Sequence, residues 1–137
     1  LISTQSFGFS YIKSTPREMD STALYGPEVF EFCGGWVEVW IKRVQWQNEL
    51  LLKVSPPDGI VWEVANGHIV IAKENNQDES YKFNSFETMK VQKGQNNTHI
   101  WKFDAGNPSE FKVALLPFTG CQIDQKAKGV VLKESKD

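Results

Sequence analysis

Histidine, cysteine and arginine are the residues this chain is short of. Among 137 residues there are two histidines, His68 and His99, and two cysteines, Cys33 and Cys121. The arginines are Arg17 and Arg43. Neither histidine has a second histidine or a cysteine at metal-ligand spacing, so no zinc-type site is spelled out. A Ser-His-Asp or Cys-His triad is recognised by geometry rather than by spacing. The chain nevertheless has no Gly-x-Ser-x-Gly elbow, and both cysteines read as structural. With so few arginines there is little planar, bidentate capacity for phosphate. Fifteen Lys and Arg stand against seventeen Asp and Glu, for a net charge of −2. Both signs are interspersed, which argues against a nucleic-acid surface. No apolar run approaches the ~20 residues that a helical membrane span needs. A glycine-rich phosphate loop is missing. The oxygen-rich run Asn75-Asn76-Gln77-Asp78-Glu79 has the wrong order for a calcium loop.

Strand signals are what the chain has. The clearest lies at residues 60–73, Ile-Val-Trp-Glu-Val-Ala-Asn-Gly-His-Ile-Val-Ile-Ala-Lys. Asn66-Gly67 suits a type I′ turn, and the β-branched flanks predict a hairpin with Val64 opposite Ile69 and Trp62 opposite Ile71 on one buried face. Phe7, Phe9 and Tyr11 alternate in a first predicted strand, and residues 13–27 read as a long connection with room for one helical turn at 17–25. Strands are expected at 28–33, 36–46, 50–54, 81–83, 86–92, 98–103, 111–116 and 129–133. Turns are expected at Gly34-Gly35, residues 56–59, 94–97 and 105–108, and residues 74–80 read as a solvated loop. Residues 1–6 and 134–137 read as tails. About ten strands with turn signals every 8 to 12 residues predict a single all-β domain over 1–137, an antiparallel sandwich of jelly-roll type. The chain opens on Leu1 with no signal peptide, and is read as a domain excised from a longer protein.

Cys33 and Cys121 each end an apolar stretch beside a glycine. They are either two buried thiols or one long-range disulfide. An even count at segment ends favours the bridge, which in turn implies an oxidising, secretory route. Asn96-Asn97-Thr98 is a glycosylation sequon, with Asn96 the candidate acceptor.

Aromatic residues are in surplus: five Trp, nine Phe and three Tyr. Most belong in a core. The strand after Gly35 is different, because Val37, Val39 and Ile41 share one face while Trp36, Glu38, Trp40 and Lys42 share the other, with Trp46 further along. A face that alternates tryptophan with charge is poorly suited to a dry core. It suits recognition, with aromatic bodies buried against a partner and charges at the rim. Trp36, Glu38, Trp40 and Lys42 are therefore the candidate partner-binding residues. The main enzymatic alternative is a jelly-roll glycosidase with Glu38 and Glu63 as paired acids. A further alternative is a lectin module that stacks sugars on tryptophan.

The strand order, together with Ser109-Glu110-Phe111-Lys112-Val113-Ala114-Leu115, resembles the galectin-like sandwich. The stretches Phe7-Gly8-Phe9-Ser10-Tyr11-Ile12-Lys13 and Gly34-Gly35-Trp36-Val37-Glu38-Val39-Trp40 are similar to the C-terminal galectin-like domains of apicomplexan microneme adhesins, a resemblance that covers nearly the whole chain. Galectins hold β-galactosides through His-x-Asn-x-Arg and Trp-x-x-Glu-x-Arg. Here His68 is followed by Ile69-Val70-Ile71, His99 by Ile100-Trp101-Lys102, and Trp62-Glu63 lacks the arginine. Galactoside binding is therefore not expected. The resemblance implies instead a non-catalytic domain without cofactor that docks an EGF-like module of a membrane-anchored adhesin. Docking would assist that partner's folding and export through the secretory pathway, by way of a microneme-type organelle, to the cell surface. The complex would then serve host-cell attachment and invasion.

Overall fold

A computed structural model describes residues 22–135 apart from 74, 75, 86 and 96. Eleven strands form among the described residues: β1 (Thr22–Phe32), β2 (Gly35–Val44), β3 (Gln47–Ser55), β4 (Val61–Val64), β5 (Ile69–Lys73), β6 (Asn76–Tyr81), β7 (Phe83–Ser85), β8 (Met89–Gln92), β9 (Thr98–Phe103), β10 (Glu110–Leu115) and β11 (Lys128–Lys133). Every pairing is antiparallel. One sheet has the order β1-β2-β3-β9-β7, a second the order β11-β10-β5-β6, and β4 pairs with β8 on its own. The chain is thus an all-β, antiparallel sandwich, as its strand and turn spacing predicts.

Alternation along each strand supplies the two inner faces. Val37, Val39 and Ile41 of β2 meet Leu50, Leu52 and Val54 of β3, and all are buried. Phe111, Val113 and Leu115 of β10 point inward from the second sheet. Aromatic rings stitch the layers together. Tyr25 stands edge-on to Phe111 at 4.6 Å, and Phe103 contacts the same ring at 5.8 Å. These contacts combine large apolar burial with favourable quadrupole geometry.

Several local expectations are corrected. The hairpin at 60–73 does not form. Asn66–His68 is a short 3₁₀ turn, in which His68 Nδ1 accepts the Ala65 N–H at 2.9 Å. Val64 pairs with Met89 and Trp62 with Val91, while Ile69 and Ile71 pair with Leu115 and Val113. All four predicted residues are buried, but the chain turns a corner between sheets instead of folding back on itself. The left-handed two-residue turn lies elsewhere, at Cys33-Gly34, with φ of 53° and 81°. It joins Phe32 to its partner Gly35. The expected connection at 13–27 and helical turn at 17–25 give way, from Thr22 onward, to β1. This strand carries Leu24 and Tyr25 opposite Lys42 and Ile41, and then a bulge at Gly26-Pro27 across a cis peptide. Residues 76–80, expected as loop, continue the second sheet as β6. Ser135, expected to fray, donates its N–H to Leu24 O at 2.7 Å and its hydroxyl to Gly26 O at 2.8 Å. The predicted strand at 7–12 and the candidate acceptor Asn96 lie outside the described residues.

Cys33 and Cys121 are bridged, 88 residues apart in sequence. The bridge ties the β1–β2 turn to the connection between β10 and β11. That connection is anchored at two further points. Phe118 is buried against Phe32 at 5.1 Å and Trp62 at 5.3 Å. Thr119 exchanges both backbone hydrogen bonds with Glu63, at 2.8 and 3.1 Å.

Candidate interaction surface

The outer face of the five-stranded sheet carries all four candidate residues. On β2, Trp36, Glu38, Trp40 and Lys42 point away from the core, because Gly35, Val37, Val39 and Ile41 occupy the inner positions. Register then shows what surrounds them. Trp40 stands opposite Leu51, and Leu51 stands opposite Ile100 on β9. Val29 of β1 stands opposite Glu38, which in turn faces Lys53. The next row sets Lys42 opposite Glu49, with Lys102 beyond it.

An apolar stripe therefore crosses the sheet. Trp36 is 55% exposed, Val29 59% and Ile100 47%. Leu51 faces outward yet is only 7% exposed, flanked by Trp40 on one strand and Ile100 on the other. On either side of the Trp40–Leu51–Ile100 row run rows of opposite charge, Glu38 with Lys53 and Lys42 with Glu49; Val29 stands in the first of these, and Trp36 lies beyond it. Among the described residues none of these pairs closes to an ion-pair contact. Their charges remain available to orient a docking partner. An apolar centre with a charged rim is the anatomy of a protein interface.

Trp46 does not join this surface. It sits at the β2–β3 turn, beside Gln45 with φ of 57°, and is 85% exposed at the tip of the hairpin. Leu51, Ile100 and Val29 belong to the stripe and were not among the predicted site residues. Two of them left a signal. Leu50-Leu51-Leu52 breaks the alternation that a half-solvated strand should keep, and Ile100 does the same between His99 and Trp101. Both mark positions where the outer face is apolar too.

The other chemistry-bearing residues are committed to structure. Glu63 lies on β4, outside the five-stranded sheet, and pairs with Lys90 at 3.6 Å across the β4–β8 ladder. Glu38 and Glu63 thus stand on different sheets. Arg43 donates to Asn48 Oδ1 at 2.9 Å and lies 3.9 Å from Asp104, with its side chain only 14% exposed. Asn48 is itself fully buried. It accepts from Ala105 N at 2.8 Å and donates to Gly106 O at 3.0 Å, which clamps the β9–β10 connection. His68 holds the corner after β4, and His99 lies against Trp101 at 4.6 Å. No cluster of three or more His, Cys, Asp or Glu able to hold a metal ion occurs among the described residues. Comparisons with protein-family models, with curated proteins and with solved structures find no match to this chain.

Proposed function

We propose that this domain is a non-catalytic protein-binding module, and that the outer face of the five-stranded sheet is its docking surface. One observation carries the reading: an outward apolar row of Trp40, Leu51 and Ile100 between two charge rows, with Val29 in the Glu38–Lys53 row and the exposed Trp36 just beyond it, on a sheet whose other face already fills the core. Large exposed apolar patches with polar rims mark interaction sites. A standard interface buries about 800 Å² per partner, and a few aromatic anchors contribute most of its energy. Trp36 and Trp40 are those anchors, with Glu38 and Lys42 at the rim.

The partner we propose is an EGF-like module of a membrane-anchored adhesin, within a complex for host-cell attachment and invasion. The resemblance of the chain to the galectin-like domains of microneme adhesins supports this choice. The Cys33–Cys121 bridge is weakly consistent with the secretory route that it entails. Calorimetric titration of the domain with a recombinant EGF-like module tests the proposal. Saturable binding is expected, weakened more than tenfold by Trp40→Ala with the fold intact. Unchanged binding in that variant would remove the stripe from the interface. A second reading is a lectin module, which the half-exposed ring of Trp36 favours as a stacking platform. Competable binding to one sugar class on a glycan array, abolished by Trp36→Ala, would replace the protein partner with a carbohydrate.

A further inference from the structure

The opposite outer face, on the second sheet, carries a trough of about 330 Å³, within the range of small-ligand sites. Gly129, Ala114 and Val70 stand side by side on β11, β10 and β5, and the adjacent row is Val131, Lys112 and Ala72. The small residues form the floor, and the exposed Val70 and Val131 form the walls. Among the described residues, Lys112 is the one charged group in the lining. The residue is half-buried beside valine and alanine, and among the described residues no carboxylate lies within ion-pair distance of it.

We propose that this trough binds a medium-chain aliphatic carboxylate, its hydrocarbon along the small-residue floor and its head group on the Lys112 ammonium. An ammonium group with no carboxylate partner beside an apolar trough can bind an anionic head group through a charge-assisted hydrogen bond while the hydrocarbon covers the floor. Apart from Lys112, the lining side chains among the described residues offer no hydrogen-bonding group, which disfavours a sugar or any other polyhydroxyl ligand. An extended peptide fits poorly as well. Along the middle of the trough the β10 backbone is paired on both sides, to β11 and to β5, so a peptide lying on that strand would find no free amides for its own backbone. The site lies across the sandwich from the tryptophan stripe and stands or falls independently of the protein-binding reading.

Amide and methyl NMR of the intact domain, titrated with octanoate and in parallel with octylamine, tests the assignment. Octanoate should give saturable shifts at Val70, Ala72, Ala114 and Val131, and octylamine should give none. Lys112→Glu should weaken octanoate by about tenfold or more, the scale of one charge-assisted hydrogen bond, and admit octylamine in its place. A Cβ added at Gly129 meets no atom within 4 Å, so Gly129→Val should fill the trough without crowding the backbone and should abolish octanoate binding. Non-saturating shifts, equal response to the two probes in the wild type, or shifts centred on Trp36 and Trp40 would overturn the proposal. Should Gly129→Val fail to fold, the charge reversal at Lys112 decides alone.

Discussion

Removing the Cys33–Cys121 bridge is the perturbation whose size the structure specifies best. The bridge closes a loop with a sequence separation of 88. In the chain-entropy model, release of a loop of that length costs about 4.6 kcal/mol at 25 °C. Using the usual unfolding entropy per residue, a 137-residue chain would lose roughly 16 °C of melting temperature. The variant Cys33→Ser/Cys121→Ser, compared with the wild type by calorimetry, reads this directly. A second variant refines the test. Cys33 has a φ of 53°, in the left-handed region where a Cβ is unfavourable and glycine is at home. Cys33→Gly/Cys121→Ser should therefore recover about 1 kcal/mol, or roughly 3 °C, relative to the double serine variant. If the serine variant melts within about 5 °C of the wild type, the entropic argument fails. The connection between β10 and β11 would then be held by the buried Phe118 and the Glu63–Thr119 backbone pair, with the sulfur bridge adding little. If the glycine variant is no better than the serine variant, the left-handed turn is not where the strain lies.

Two further substitutions test the core. At Gly35 an added Cβ would collide with Ser55 O and lie 2.7 Å from Trp62 Cη2. Gly35→Ala should cost about 3 kcal/mol by urea denaturation, at the upper end of ordinary overpacking. A cost under about 1 kcal/mol would mean that Trp62 does not rest on that glycine. Asn48→Ala removes three hydrogen bonds from a fully buried site and leaves the Ala105 N–H and Gly106 C=O without their partner. A loss of about 3 kcal/mol is expected, together with faster hydrogen exchange at Ala105. Trp40→Ala, by contrast, should alter the melting temperature by only a few degrees while weakening an EGF-like partner more than tenfold.

The strands were largely legible because their inner faces alternate cleanly. Sequence pattern and structure agree on the bounds of Thr98–Phe103, and for β10 and β11 they differ by at most one residue at either end. Pairing was less legible. The Asn66-Gly67 signal is local, and the alternatives open to β4 and β5 are not. Met89 and Val91 offered β4 a buried partner, and Leu115 and Val113 offered one to β5. His68 then closed the corner through its own ring nitrogen. A type I′ turn requires positive φ at both central residues, and these competing contacts removed the reason to adopt it. Thr22 to Pro27 was misread because glycine and proline suggest a loop, whereas here Gly26 and Pro27 make a bulge within a continuing strand. Of the candidate surface, the residues of β2 could be read from one strand alone. Leu51 and Ile100 required register, because a face shared by three strands cannot be assembled from any one of them.

Leu51 decides between two accounts of that face. A central strand of a sandwich normally keeps its outward positions polar. Leu51 is outward and apolar, yet nearly sealed by its cross-strand neighbours. If it is there only to stiffen the sheet, Leu51→Thr should lower stability and leave partner affinity untouched. If the stripe is a docking surface, the same change places a hydroxyl beneath Trp40 and Ile100 at the middle of the interface, where a buried polar group without a partner is most costly. Threonine brings the β-branched shape that strands favour but gives up buried methyl groups, so a loss of stability of about 2 kcal/mol is expected on either account. Affinity for the EGF-like module should fall by about tenfold or more. Measuring both quantities on the one variant separates the accounts: unchanged affinity of the folded variant would return Leu51 and its neighbours to the fold, and a fall in its affinity of about tenfold assigns them to recognition.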